Sequence, residues 1–512
     1  MKMIKKSLSV ILAVLLAFSC ISLTASAITI DGEEIDHLPQ VYVMGFESLK
    51  IYDKNDPDKT SVFPVNYDIL LENLSNFTDY ASEALKNGNY NLLHHYIYSA
   101  FYDTLSYYAF QGDGVTPLNE NIVCEERVFE HDGDGLYYFP YDSRLSPVDI
   151  AKQLNEFIKM VQEHSGSERF ELVGASYGGN IVIAYLNEYP EMHQYIDSCL
   201  LSVPSYGGFS ILSELFSGDF YIDHDTLTQY AYVGMNNEDL GLLLSVLNKS
   251  GFLELLLELC LVPGAKALLM DTAREFFHDV LTTIPSYWSF IQEEYFYDAM
   301  KNIYGENYAD PDHEYAGLIS KVTYYQEEIM QRLDEIYLKT AENGVKMNII
   351  CKYGRPPMPF TREGSFQSDG SVDVKDVTLG AVASKYGETL PEDYEQALYP
   401  EYNFISPDKV IDASTGIDPI HTWYVRGLEH GTKTEGFIEL INYIVYEDPT
   451  VFTSDEFPQF TYAAEDGSLV PVTEVEDWEE TSFFTDYIRL IKRILELAKE
   501  AIRSAFDKIL KK

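Results

Sequence analysis

Gly174-Ala175-Ser176-Tyr177-Gly178 is the segment with the clearest chemical content in this sequence. An apolar run, Phe170 to Val173, precedes it; Gly179 and a helix-forming stretch from about Asn180 to Glu188 follow. A serine on a strand-to-helix bend is thrust out where its hydroxyl meets a substrate and a base. The flanking Gly174 and Gly178 remove Cβ atoms that would collide at so tight a corner. The helix behind it aims its positive end and unpaired N–H groups at charge developing on an attacked carbonyl oxygen. Ser176 is the candidate nucleophile.

A serine hydroxyl needs a base, and the base needs an acid to orient it. On a bend of this kind the chain order is nucleophile, acid, base. Among the eleven histidines, His37, His94, His95, His131 and His164 precede Ser176. His193, His224, His278 and His313 come before the late acid-bearing stretch. His421 opens the strand-like run Thr422 to Val425 and sits at its entry, the wrong end. His430 lies just past the exit, in Gly427-Leu428-Glu429-His430-Gly431, and is the candidate base. For the acid, Asp369 stands beside Gly370 in a tight turn, with Asp373 as the second choice. Two backbone N–H groups must hold the oxyanion. Tyr177 supplies one, and Phe46, after the apolar run Val41 to Gly45, supplies the other. This chemistry calls for no cofactor and no metal.

The elements that must position these residues alternate. Val41 to Phe46 and Leu136 to Phe139 read as strands. Ser146 caps a helix with Pro147 at its first position and Ile150, Leu154, Phe157, Ile158 and Val161 along one face. Ile196 to Val203, Val345 to Tyr353 and His421 to Gly427 add further strands. Strand–helix–strand alternation implies a parallel sheet covered on both faces. Between about 206 and 343 the alternation gives way to helices, including Leu240 to Leu247 and Phe252 to Val262. That region reads as an insertion at the ligand-binding edge. The expected organisation is a core in two parts, 28–205 and 344–447, with the insertion at 206–343 and an acidic extension at 448–482.

Residues 1–27 have the makeup of an export signal: Lys2, Lys5 and Lys6, an apolar stretch from Leu8 to Leu16, and Ala25-Ser26-Ala27 as a cleavage site. The reading is a secreted protein; the alternative is lipid anchoring through Cys20, which the bulky Phe18 disfavours. Without the leader the formal charge is −49. Such a surface repels phosphate backbones, which excludes nucleic acid as a partner. Cys124, Cys199, Cys260 and Cys351 match no zinc spacing and leave room for one disulfide. The acidic loops Asp53 to Asp58 and Asp132 to Gly135 lack the terminal Glu of a calcium loop and read as solvated turns. Residues 483–512 form a basic amphipathic stripe, Phe484, Ile488, Ile491, Leu495, Ala498, Ile502, Ala505 and Ile509, with a charge of +4. It reads as a helix docked on the acidic body, with peripheral contact to a membrane or cell envelope as the alternative.

Taken together, these residues and the stretches around them resemble the lecithin:cholesterol acyltransferase branch of the α/β hydrolases. Pro39-Gln40-Val41-Tyr42-Val43-Met44-Gly45-Phe46 is similar to its first strand and oxyanion loop. Phe139-Pro140-Tyr141-Asp142-Ser143-Arg144 is similar to its Tyr-Asp-Trp-Arg segment, with Ser143 in place of Trp. Ser176 with Ser202 to Gly208 resembles its nucleophile turn and the strand exit that follows. Asp369-Gly370-Ser371-Val372 and Gly427 to Gly431 resemble its acid and histidine turns. The resemblance covers about half of the chain and implies an α/β-hydrolase fold with a large helical cap and a C-terminal amphipathic helix. It implies a Ser176–His430–Asp369 triad acting on carboxylic esters, lipid or acyl esters foremost, by hydrolysis or acyl transfer. The alternatives are a peptidase or amidase on the same fold, or a non-catalytic exported binding protein. Ser143 stands in the neighbourhood of that family's acyl pocket, so chain-length preference does not carry over.

Overall fold

Short apolar runs separated by helices satisfy their backbone groups by pairing side by side, each helix crossing back over the sheet. The computed structural model describes residues 37–472 except 47, 64–72, 74–81, 84, 85, 88, 89, 132–134, 220, 235–237, 255–262, 360, 362–365, 448 and 455, together with 487–493. The leader with Cys20, Cys260 and most of 483–512 lie outside the described residues. Among them, one sheet of nine strands forms the centre: β1 (Gln40–Val43), β2 (Glu130–His131), β3 (Leu136–Phe139), β4 (Phe170–Ala175), β5 (Ile196–Ser202), β6 (Lys346–Tyr353), β7 (Thr422–Arg426), β8 (Phe460–Ala463) and β9 (Leu469–Pro471). Their spatial order is β9-β8-β7-β6-β5-β4-β1-β3-β2. Every pairing is parallel except those of the two outer strands, β2 with β3 and β9 with β8. The chain is thus α/β, built on a mostly parallel sheet.

Side chains alternate between the faces of a strand. Val41, Val43, Leu172, Leu201, Ile349 and Cys351 line one face. Against it pack α1 (Pro147–Ser165), α2 (Tyr177–Glu188) and α3 (Leu333–Glu342) through Ile150, Leu154, Ile181 and Ile336. Tyr42, Val173, Leu200, Ile350, Trp423 and Val425 line the other, under Phe437, Leu440, Ile441 and Ile444 of α4 (Glu435–Glu447). Helix α1 forms where its signals say it should. Ser146 accepts the N–H of Asp149 at 3.1 Å, Pro147 opens the helix, and Gly166 closes it at φ 71°. In α2 every residue from Tyr177 to Leu186 is buried. It begins three residues earlier than the sequence suggested because Tyr177 is already helical.

Residues 206–343 do form helices between β5 and β6, among them Ser210–Ser217, Glu238–Lys249, Pro263–Asp279, Glu293–Tyr304 and Ala316–Glu328. Phe216, Trp288, Ile291, Phe296, Met300, Ile303 and Leu318 give them a small core of their own. Arg493, in the terminal helix, makes a two-pronged ion pair with Asp239 at 2.6 and 3.0 Å. The sheet does not end near 447. Strands β8 and β9 fall inside the stretch expected to be an acidic extension. Each is too short for its alternation to stand out among acidic neighbours.

Candidate active site

The carboxyl ends of β1 and β4 lie side by side, with Val43 opposite Gly174. The loops leaving them therefore meet above the sheet, as do those leaving β6 and β7. Ser176 leads from β4 into α2 at φ 54° and ψ −123°, a strained conformation for a residue with a side chain. Its N–H donates to the Ser202 carbonyl at 3.0 Å, and its own carbonyl accepts the N–H of Gly179 at 2.8 Å. Glycine is required around it. A Cβ on Gly178 would lie 2.1 Å from the Val43 carbonyl oxygen, and one on Gly174 2.8 Å from the Gly178 oxygen.

Ser176 Oγ lies 2.8 Å from His430 Nε2, and His430 Nδ1 lies 2.6 Å from Asp369 Oδ2. All three residues are buried, Asp369 almost completely. The other Asp369 oxygen accepts the N–H groups of Ser371 and Val372 at 2.9 and 2.8 Å. Burial works to raise this carboxyl, but the charge and hydrogen bond of His430 and those two N–H groups outweigh it and hold it below its ordinary value. An ionised carboxylate only accepts, so Nδ1 is the donor across this bond.

The two runner-up positions lie elsewhere. Asp373 accepts a hydrogen bond from Ser210 Oγ at 3.0 Å and stands just before a short helix, Val374–Val377, rather than meeting the imidazole. His421 pairs with Asp418 at 3.0 Å, just before the entry of β7.

Tyr177 opens α2, so its N–H is among the first four donors that find no acceptor within the helix. The loop carrying Phe46 crosses Ser176 closely: a Cβ on Gly45 would sit 3.3 Å from Ser176 Cβ. A strut holds that loop down. The Tyr141 hydroxyl, fully buried, lies 2.6 Å from both the Met44 and Gly45 carbonyl oxygens. Behind it Arg144 grips Asp142 at 2.7 and 3.0 Å and stacks over Phe110 at 4.6 Å. Ser143 is buried and faces the Ser48 amide at 3.5 Å.

Phe46 packs in an aromatic cluster, with ring contacts to Phe63 (5.1 Å), Tyr177 (5.4 Å), Tyr287 (5.6 Å) and Phe290 (5.6 Å). Phe290 stacks on Phe209 at 4.7 Å, and Phe209 stands edge-on to His430 at 6.5 Å. Phe209, Tyr287 and Phe290 belong to the inserted helical region. Nothing local in the sequence marked them, because they reach Phe46, Tyr177 and His430 from separate turns of that region. Asn180 ties the region to α2, accepting from Ser205 Oγ at 2.8 Å and donating to the Ser289 carbonyl and Tyr325 hydroxyl at 3.2 Å.

No protein-family model matches the chain, and no curated protein is significantly similar to it.

Proposed function

We propose that this protein is a serine hydrolase of the α/β-hydrolase type that cleaves carboxylic esters through an acyl-enzyme. One observation carries the reading: the unbroken hydrogen-bonded line from Ser176 Oγ through His430 to Asp369, at 2.8 and 2.6 Å. The strand order, with the serine bend after β4, the acid after β6 and the base after β7, supports it.

Ser176 Oγ attacks the ester carbonyl while His430 Nε2 takes its proton. Asp369 holds the imidazole and stabilises its positive charge. The N–H groups of Phe46 and Tyr177 hold the oxyanion. His430 then gives the proton to the departing alcohol, and water repeats the sequence to release the acid and restore Ser176. An alcohol in place of water yields acyl transfer with the same residues. The aromatic cluster that reaches Phe46 and the His430 ring favours an apolar acyl group, with the inserted helices as its cap. The leader at 1–27 directs this activity outside the cell.

Fluorophosphonate labelling tests the reading. The native protein should label and Ser176→Ala should not; equal labelling of both removes Ser176 from the mechanism. His430→Ala should lose turnover of p-nitrophenyl esters while His421→Ala keeps it. Cleavage of a peptide amide in preference to every ester would replace the esterase reading with a peptidase on the same framework.

A further inference from the structure

A lysine stands where the sheet would ordinarily carry an apolar side chain. Lys352, next to last in β6, points to the same face as Ile350 and is 1% exposed. Its ammonium sits beneath the loop that leaves the neighbouring strand β7. It donates to three carbonyl oxygens of that loop: Glu429 at 3.2 Å, His430 at 2.9 Å and Thr432 at 2.6 Å. An ammonium has three N–H bonds, so this set uses all of them. The nitrogen also lies over the Phe437 ring at 4.3 Å.

Burying this charge is costly. Burial pushes the amine down to about 7, with Asp369 and Glu429 opposing and Lys433 adding to the shift. Methionine would fill the same volume without that cost, so volume alone does not account for a nitrogen here. Its three acceptors do. The His430 peptide is consequently held from both sides, its N–H on the Asp369 carbonyl at 3.0 Å and its C=O on Lys352 at 2.9 Å.

We propose that Lys352 is a positioning residue that fixes the His430 peptide, and so sets the imidazole between Ser176 and Asp369. The inference deepens the hydrolase reading and rests on it for its kinetic consequence. Lys352 touches no reacting atom; it acts through the loop.

The experiment compares Lys352→Met and Lys352→Arg with the native protein. Lys352→Met should label with fluorophosphonate between about ten and a hundred times more slowly, with kcat falling and KM nearly unchanged. Lys352→Arg, which keeps donors and charge, should recover most of that loss. The low-field proton resonance of the His430 Nδ1–H gives a readout that needs no turnover. It should shift or broaden in Lys352→Met and return in Lys352→Arg. An unaltered resonance in folded Lys352→Met, or a native labelling rate, overturns the proposal. Should Lys352→Met not fold, Lys352→Gln takes its place with the same two readouts. Absence of labelling in the native protein would remove the hydrolase reading, while the resonance would still decide the role of Lys352.

Discussion

Asp369 and His430 are joined twice: the carboxylate accepts the ring Nδ1–H at 2.6 Å, and the main-chain carbonyl accepts the His430 amide at 3.0 Å. One bond sets the tautomer and the other sets the distance between the two turns. The two bonds can be separated by mutation, because only the first depends on the side chain.

Asp369→Asn should therefore leave the fold intact and lower kcat on a p-nitrophenyl ester by on the order of 10³–10⁴. The main-chain bond remains, but the charge that fixes the Nδ1 proton is gone. Asp373→Asn, which alters a contact with Ser210, should change kcat by less than about tenfold. Comparable losses in the two variants would reopen the choice of acid.

Gly178→Ala should damage nucleophile and fold together. The added methyl would meet two backbone oxygens, Val43 at 2.1 Å and Met44 at 2.6 Å, and neither can swing aside. A loss of about 3 kcal/mol or more is expected in urea unfolding, with labelling of Ser176 abolished. Gly166→Ala is the control, because a Cβ there meets nothing within 4 Å. It should cost only about 1 kcal/mol, through its positive φ, and keep labelling native.

Asn180→Ala removes the side chain that ties α2 to the inserted helices. It leaves Ser205 Oγ, the Ser289 carbonyl and the Tyr325 hydroxyl short of a partner in a buried place. The expected cost is about 2–4 kcal/mol by denaturant midpoint. With the aromatic cluster loosened, turnover of long-chain esters should fall more than that of acetate. A uniform loss across chain lengths would argue against the cluster as the acyl site.

Glu171, at the opposite end of β4, should make stability depend on pH. Burial first, and then the charge of Asp197, push its carboxyl up to about 8, with Lys346 opposing. Between its ordinary 4.5 and about 8 the folded chain binds more protons here than the unfolded one, so stability falls as pH rises across that window. Glu171→Gln should match the native protein near pH 4 and exceed it at pH 8 by a few kcal/mol. An equal difference at both pH values would show that the carboxyl does not titrate in this range.

Ser176 and His430 of the candidate site were legible because each is tied to local punctuation. Ser176 lies between glycines after an apolar run, and chain order together with strand ends separated His430 from His421. The choice between Asp369 and Asp373, four residues apart, was not local. It depends on which carboxylate reaches the turn after β7, and only the folded contact of Asp369 with His430 decides that. The cluster formed by Phe209, Tyr287 and Phe290 was hidden for the same reason, since long-range packing has no period. Lys352 did leave a trace. A cation inside the apolar run Val345 to Tyr353 contradicts a buried strand unless something nearby accepts three hydrogen bonds.

The outermost rows of the central sheet are stubby among the described residues: Glu130–His131 on one flank and Leu469–Pro471 on the other. A ledge of two residues, or one that reaches an imino acid with no hydrogen to give, is a poor template for another molecule's strand. Among the described residues, the central sheet thus offers crowded copies little ribbon to extend at either flank.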